Sequence, residues 1–137
     1  MLLAGMKFVI GRHVALLAIS FLVVGCYSQR DYDAHNEMRR QRLLEMYPVR
    51  KTTQQDVAKR WGYAPQERQS RPKAGWENHP DAWVAKFTAH AEKRIGKKIA
   101  KVERYFGADG MFSLCYCWFY YDASGRLLDA EWQWSSD

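Results

Sequence analysis

The chain has no apolar run long enough to cross a bilayer. Val14 to Val24 (VALLAISFLVV) is uncharged over only eleven residues, where a spanning helix needs about 20. No P-loop or dinucleotide fingerprint occurs. Ser124 lies in a turn without the glycines of a nucleophile elbow. His35, His79 and His90 are scattered over separate segments and none sits in a hydrolase motif. Cysteine is sparse, at three residues, and no CxxC or second CxC completes a four-ligand zinc set. These absences argue against an enzyme, a nucleotide-binding protein and a cofactor-dependent one, and the expectation is no catalytic residue, no cofactor and no metal.

The 137 residues leave room for an export segment and one domain. An apolar share of 47% and an aromatic share of 15%, with six Trp and eight Tyr, exceed what a disordered chain carries, so most of the chain folds. The formal charge is +6. Lys7, Arg12 and His13 precede the eleven-residue run as a signal peptide's n-region precedes its h-region. Cleavage removes two of the 21 basic residues and leaves 19 against 15 acidic ones, or +4. That charge is ordinary for a folded domain and gives no reason to expect a nucleic-acid partner.

The run ends in Leu22-Val23-Val24-Gly25-Cys26, which resembles the lipobox of bacterial lipoproteins. The resemblance implies diacylglyceryl transfer to the Cys26 thiol, cleavage before it and a mature chain beginning at Cys26. Two acyl chains give stable anchoring where one binds marginally. Tyr27 follows the cysteine where an inner-membrane retention signal would place Asp. By the sorting rule of enterobacterial lipoproteins this implies the outer membrane, periplasmic side, with the inner membrane as the alternative. Either Met1 or Met6 can start such a signal. The organisation read from the chain is 1–25 signal peptide, 26–37 lipidated cysteine and tether, and 38–137 folded domain.

Within the domain, Met38 to Tyr47 places Leu43, Met46 and Tyr47 at helical spacing ahead of Pro48. Thr53 with Asp56 three residues on makes a capping box, and Gly62 suits a C-terminal cap, which predicts a helix over 54–61. Residues 63–78 read as a loop. A third helix is expected from about Pro80 to Ile95, with Trp83, Phe87 and His90 or Ala91 as its buried stripe. From Lys98 the period becomes two, predicting strands over 99–106, 111–121 and 126–134. Asp122-Ala123-Ser124-Gly125 fits a type I turn whose Gly takes a left-handed bulge position. That turn places Tyr120 opposite Leu128, Trp118 opposite Ala130, Tyr116 opposite Trp132 and Leu114 opposite Trp134. Trp118 and Trp132 then share the buried face. The expected fold is α+β in two layers, with helices on one face of a three-stranded antiparallel meander.

Thr53, Val57, Trp61, Gly62 and Pro65, together with Phe119-Tyr120-Tyr121-Asp122 and Gly125-Arg126-Leu127, resemble the pattern of small outer-membrane lipoproteins of the SmpA/OmlA (BamE-like) type. Lys51 stands where that family has Gly, Pro65 comes one residue late, and a helical insertion near 80–95 separates the two halves. The resemblance implies an accessory of outer-membrane assembly or integrity that binds another envelope component. A periplasmic inhibitor or immunity lipoprotein against a toxic hydrolase is the alternative. Cys115 and Cys117, on the same side of a strand, offer a third reading as a soft-metal or redox pair, against a plain packing role. Candidate partner-binding residues are Phe119, Tyr121, Asp129 and Glu131, expected on an uncovered sheet face. Lys97, Lys98 and Lys101 join them from the basic run Lys93, Arg94, Lys97, Lys98, Lys101 and Arg104. The partners implied are a membrane, through the N-terminal lipid, and a protein of the envelope.

Overall fold

A computed structural model describes residues 33–108 and 114–134. The account that follows concerns the compact unit Asn36–Asp137. Cys26 and the signal segment lie outside the described residues. Among those described, the chain is α+β: three α-helices, a 3-10 turn and a four-stranded antiparallel sheet in the order β1-β2-β3-β4. Helix α1 covers 33–46. It includes residues 33–37, which the sequence assigns to the tether; residues 26–32 are outside the described residues.

Helix α2 (Gln54–Trp61) forms where the capping box places it. The Thr53 hydroxyl accepts from the Asp56 N–H, the Asp56 carboxylate accepts from the Thr53 N–H at 2.8 Å, and Gly62 ends the helix at φ 84°. The expected loop 63–78 instead contains strand β1 (Glu67–Ser70) and the 3-10 turn Trp76–Asn78. A four-residue polar strand, ERQS, lacks the alternation that betrays longer strands. It forms because β2 offers partners: Glu67 pairs with Arg104 and Ser70 with Lys101. Helix α3 (Ala82–Ile95) is capped by Asp81, whose carboxylate accepts from the Trp83 and Val84 N–H groups. Pro80 therefore precedes the cap. The buried stripe is Val84, Thr88 and Ala91, and Trp83 is 50% exposed. Ile95 and Phe87 pack on the same core half-buried, Phe87 stacked on the Trp118 ring at 5.3 Å between centroids, so of the expected stripe Phe87 and Ala91 face the sheet and Trp83 does not.

Strands β2 (Lys101–Ala108), β3 (Leu114–Tyr121) and β4 (Leu127–Trp134) form the meander. The turn is as read: Gly125 has φ 80°, its N–H reaches the Asp122 carbonyl at 3.1 Å, and the Asp122 N–H reaches Arg126 at 3.0 Å. Tyr121 then faces Leu127. Tyr120, however, faces Asp129, because an irregularity at Tyr120/Tyr121 leaves Leu128 as an extra residue in β4. The pairs beyond it are Phe119 with Ala130, Trp118 with Glu131 and Cys117 with Trp132. Beyond the bulge, the register expected from the turn is thus wrong by one. Trp118 and Trp132 lie on opposite faces.

Both faces are covered, so the expectation of helices on one face alone also fails. On the first, Leu43 of α1, Tyr47 directly after it and Val57 of α2 pack on Tyr105, Cys117, Phe119, Tyr121, Leu127 and Ala130. Tyr47 and Phe119 meet edge to face at 5.2 Å between ring centroids. Gly107 lets α2 lie close, since a Cβ there would stand 3.3 Å from the Trp61 ring. On the second face, Val84 and Ala91 of α3, with Trp76 and Ile99, cover Val102, Trp118 and Tyr120. The Trp76 ring is fixed by an N–H bond to the Ile99 carbonyl at 2.8 Å.

Two fully buried rings on opposite faces make a direct test. Phe119→Ala and Trp118→Ala should each cost about 3–5 kcal/mol and each lower the thermal midpoint sharply. A melt unchanged by Phe119→Ala would mean that α1 and α2 do not cover that face.

Candidate functional site

Three charged clusters stand out, and only one faces solvent. The first centres on Glu103, a fully buried carboxylate of β2. It accepts from Gln54 Nε2 of α2 at 2.7 Å, Arg68 Nε of β1 at 2.6 Å, and the Tyr105 and Tyr121 hydroxyls at 3.2 and 3.1 Å. Four donors fill the acceptor capacity of a carboxylate. Burial, and then the Glu103 charge, raise the Tyr105 and Tyr121 pKa values far above the ordinary phenol. Both hydroxyls remain protonated donors that join α2, β1, β2 and β3.

The second lies at the β4 edge. Asp129, 1% exposed, accepts from Arg94 Nε of α3 at 2.9 Å and Arg40 Nη2 of α1 at 2.7 Å. Arg94 also reaches Glu131 at 3.0 Å, and the Tyr120 hydroxyl donates to the other Glu131 oxygen. Burial opposes the Arg94 charge, but Glu131 and Asp129 outweigh it and raise its pKa above the ordinary guanidinium value. Helices from the two faces of the sheet thereby share one carboxylate.

These clusters contain residues expected at a binding face. Phe119, Tyr121, Asp129 and Glu131 are all buried, so the expectation of an uncovered face is corrected. Phe119 and Tyr121 lie under α1 and α2, while Asp129 and Glu131 are held by α3. Cys115 and Cys117 are buried thiols on the first face, and Cys115 Sγ donates to the Gly107 carbonyl at 3.2 Å. Among the described residues no three His, Cys, Asp or Glu side chains gather as metal ligands.

The basic run of the sequence divides. Arg94 pairs as above and Arg104 pairs with Glu67 at 3.1 Å. Lys97 and Lys98 are exposed and Lys101 is half-buried, and they stand together where α3 hands over to β2. The fold brings others beside them. Lys101 pairs with Tyr121, next to the Asp122–Arg126 turn. Outside β4, the Arg50 N–H reaches the Leu127 carbonyl at 2.8 Å, and the Leu127 N–H reaches the Thr52 carbonyl at 2.9 Å. Thr53 bridges Arg126. One end of the sheet therefore carries Lys97, Lys98, Lys101, Arg126, Arg50 and Lys51, and among the described residues none of the six forms a salt bridge.

Two carboxylates at this end are already engaged. Asp122 accepts from the Ser124 hydroxyl, the Ser124 N–H and the Arg126 N–H, and its pKa is lowered, chiefly by the Ser124 hydroxyl. Asp56 is held in the capping box of α2. Lys97, Lys98 and Lys101 were legible as candidates. Arg50, Lys51 and Arg126 were not, because only tertiary pairing of the 50–53 segment with β4 brings them there. A weak signal existed in the basic pair Arg50-Lys51 placed directly before a helix cap.

Comparison of the chain with protein-family models, curated proteins and solved structures finds no match. Among the described residues no helix is long and apolar enough to cross a membrane.

Arg50 holds φ 63°, a left-handed conformation that costs a residue with a Cβ about 1–2 kcal/mol. Its side chain is exposed, so its replacement removes little packing. Arg50→Gly should therefore leave the thermal midpoint unchanged or raise it. A fall of several degrees would show that the Arg50 side chain supports the fold.

Proposed function

We propose that this chain is an exported lipoprotein, anchored through acylated Cys26 on the periplasmic side of the outer membrane, whose α+β domain binds another component of the envelope. The observation that carries the reading is the order of positive residues, eleven-residue apolar run and Leu22-Val23-Val24-Gly25-Cys26. A thiol placed directly after a small residue at the end of such a run suits lipid transfer followed by cleavage. The resemblance to SmpA/OmlA-type lipoproteins adds a role in outer-membrane assembly or integrity.

The domain's chemistry supports binding in preference to turnover. Its buried carboxylates spend their lone pairs on arginine, glutamine and tyrosine donors. Among the described residues its cations at the sheet end have no carboxylate partner, which leaves their charge available to another molecule. The inhibitor alternative would make its contact through an open sheet face or a loop, and with both faces covered the loop is what remains.

Metabolic labelling with a radioactive fatty acid tests the anchor. The wild-type chain should take up label and run as a shortened mature form, and Cys26→Ser should remain an unlabelled precursor. Label retained by Cys26→Ser would remove the lipoprotein reading.

A further inference from the structure

Among the described residues the six cations meet no carboxylate, and they line one end of the sheet; Arg126 also donates to the Arg50 carbonyl at 3.1 Å. Strands lie about 4.8 Å apart, and the order across this end is Lys97, Lys98 and Lys101 at β2, Arg126 at the β3–β4 turn, then Arg50 and Lys51 outside β4. The row faces away from the end at which the chain enters the domain. Arg50 lies beside Leu127 at the start of β4, whereas Arg39, near the start of α1, lies over the Trp132 ring close to the other end of the strand, at 5.2 Å.

We propose that this row binds an extended anionic glycan, a chain carrying carboxylate or phosphate groups at intervals. The proposal names the partner class of the envelope-binding reading above and rests on it for location. Cations spread along one end of the sheet match a polymer whose charges are spread along its length. An anionic bilayer surface also attracts exposed cations, and firm seating on it adds large apolar side chains beneath the head groups. The exposed Trp83 and Tyr63 are not in the row; Val49 is the exposed apolar residue next to Arg50. A folded acidic protein would call for a buried aromatic or arginine anchor at the centre of the contact, and the row has none. Arg50 adds a separate indication, since it holds a conformation better suited to Gly and so keeps a cation where the backbone disfavours one. Cations in a row reinforce one another's field on a nearby polyanion, and salt screens that field over about 10 Å at 0.1 M.

The full-length chain in non-ionic detergent, titrated against a fluorescein-labelled heparin oligosaccharide as the anionic-glycan probe and read by anisotropy, tests this. Binding should weaken steadily with salt. Lys97→Glu with Lys98→Glu should weaken it at least tenfold, and Arg50→Gly with Lys51→Glu should do so independently. Lys59→Glu with Lys86→Glu, which matches the charge change of the Lys97/Lys98 pair away from the row, should alter it less than twofold. Thermal melts of each variant separate lost binding from lost fold, and Arg50→Gly alone gives a variant in which the fold is expected to be intact.

Equal weakening by the control pair, or no binding by wild type, would overturn the proposal. So would a preference for anionic over zwitterionic vesicles that the row variants abolish while glycan binding stays unchanged. The detergent measurement does not depend on acylation, so failure of fatty-acid labelling would remove the anchor reading and leave this result standing.

Discussion

One extra residue in β4 sets which groups meet across the sheet. Because Leu128 bulges between the Tyr121–Leu127 and Tyr120–Asp129 pairs, every later side chain of β4 points to the face opposite the one an unbroken ladder would give it. Ala130 then lies beside Phe119 under α1, where a small residue leaves room for the Tyr47 ring. Asp129 and Glu131 turn toward α3, where Arg94 meets both. Trp132 turns to the α1 face and receives Arg39 over its ring.

Burying carboxylates stabilises a fold little by comparison with apolar packing, and removing one partner of such a pair costs heavily. Their contribution here is to orientation. Glu103 fixes the start of α2 against β1 and β2, and Asp129 ties α1 and α3 to the same strand from opposite faces. Several arginines are consumed in these and similar contacts: Arg40, Arg68, Arg71, Arg94 and Arg104 all pair with carboxylates. Among the described residues the cations at the sheet end take no part in this internal neutralisation.

Elements whose signals are local were legible in the sequence. The α2 capping box, the Gly62 cap, the Asp122–Gly125 turn and the period-two strands depend on residues within a few positions of one another, and each forms close to where the sequence placed it. What escaped was set by tertiary context. Strand β1 exists because β2 has a free edge, and its polar sequence carries no period. The bulge at Leu128 has no glycine to announce it. Without it the mixed side chains of β4 seemed to need one wet face, and a helix on each side was not foreseen. Trp83 looked like a core residue by type, yet the stripe ending in Ile95 won the contact with the sheet. At the candidate site, three of six cations could be read from the chain; the others required the 50–53 segment to lie along β4.

Buried Asp129 and half-buried Arg94 form the ion pair that joins α3 to the sheet edge. A double-mutant cycle on thermal or denaturant unfolding, with Asp129→Asn, Arg94→Met and the two combined, measures it most directly. Asp129→Asn alone should be destabilising by about 1–3 kcal/mol, because it deprives Arg94 and Arg40 of the carboxylate they share, although Arg94 keeps Glu131. The double variant should recover part of that loss, with a coupling of about 1–3 kcal/mol. Single changes that simply add, with no recovery in the double variant, would contradict it.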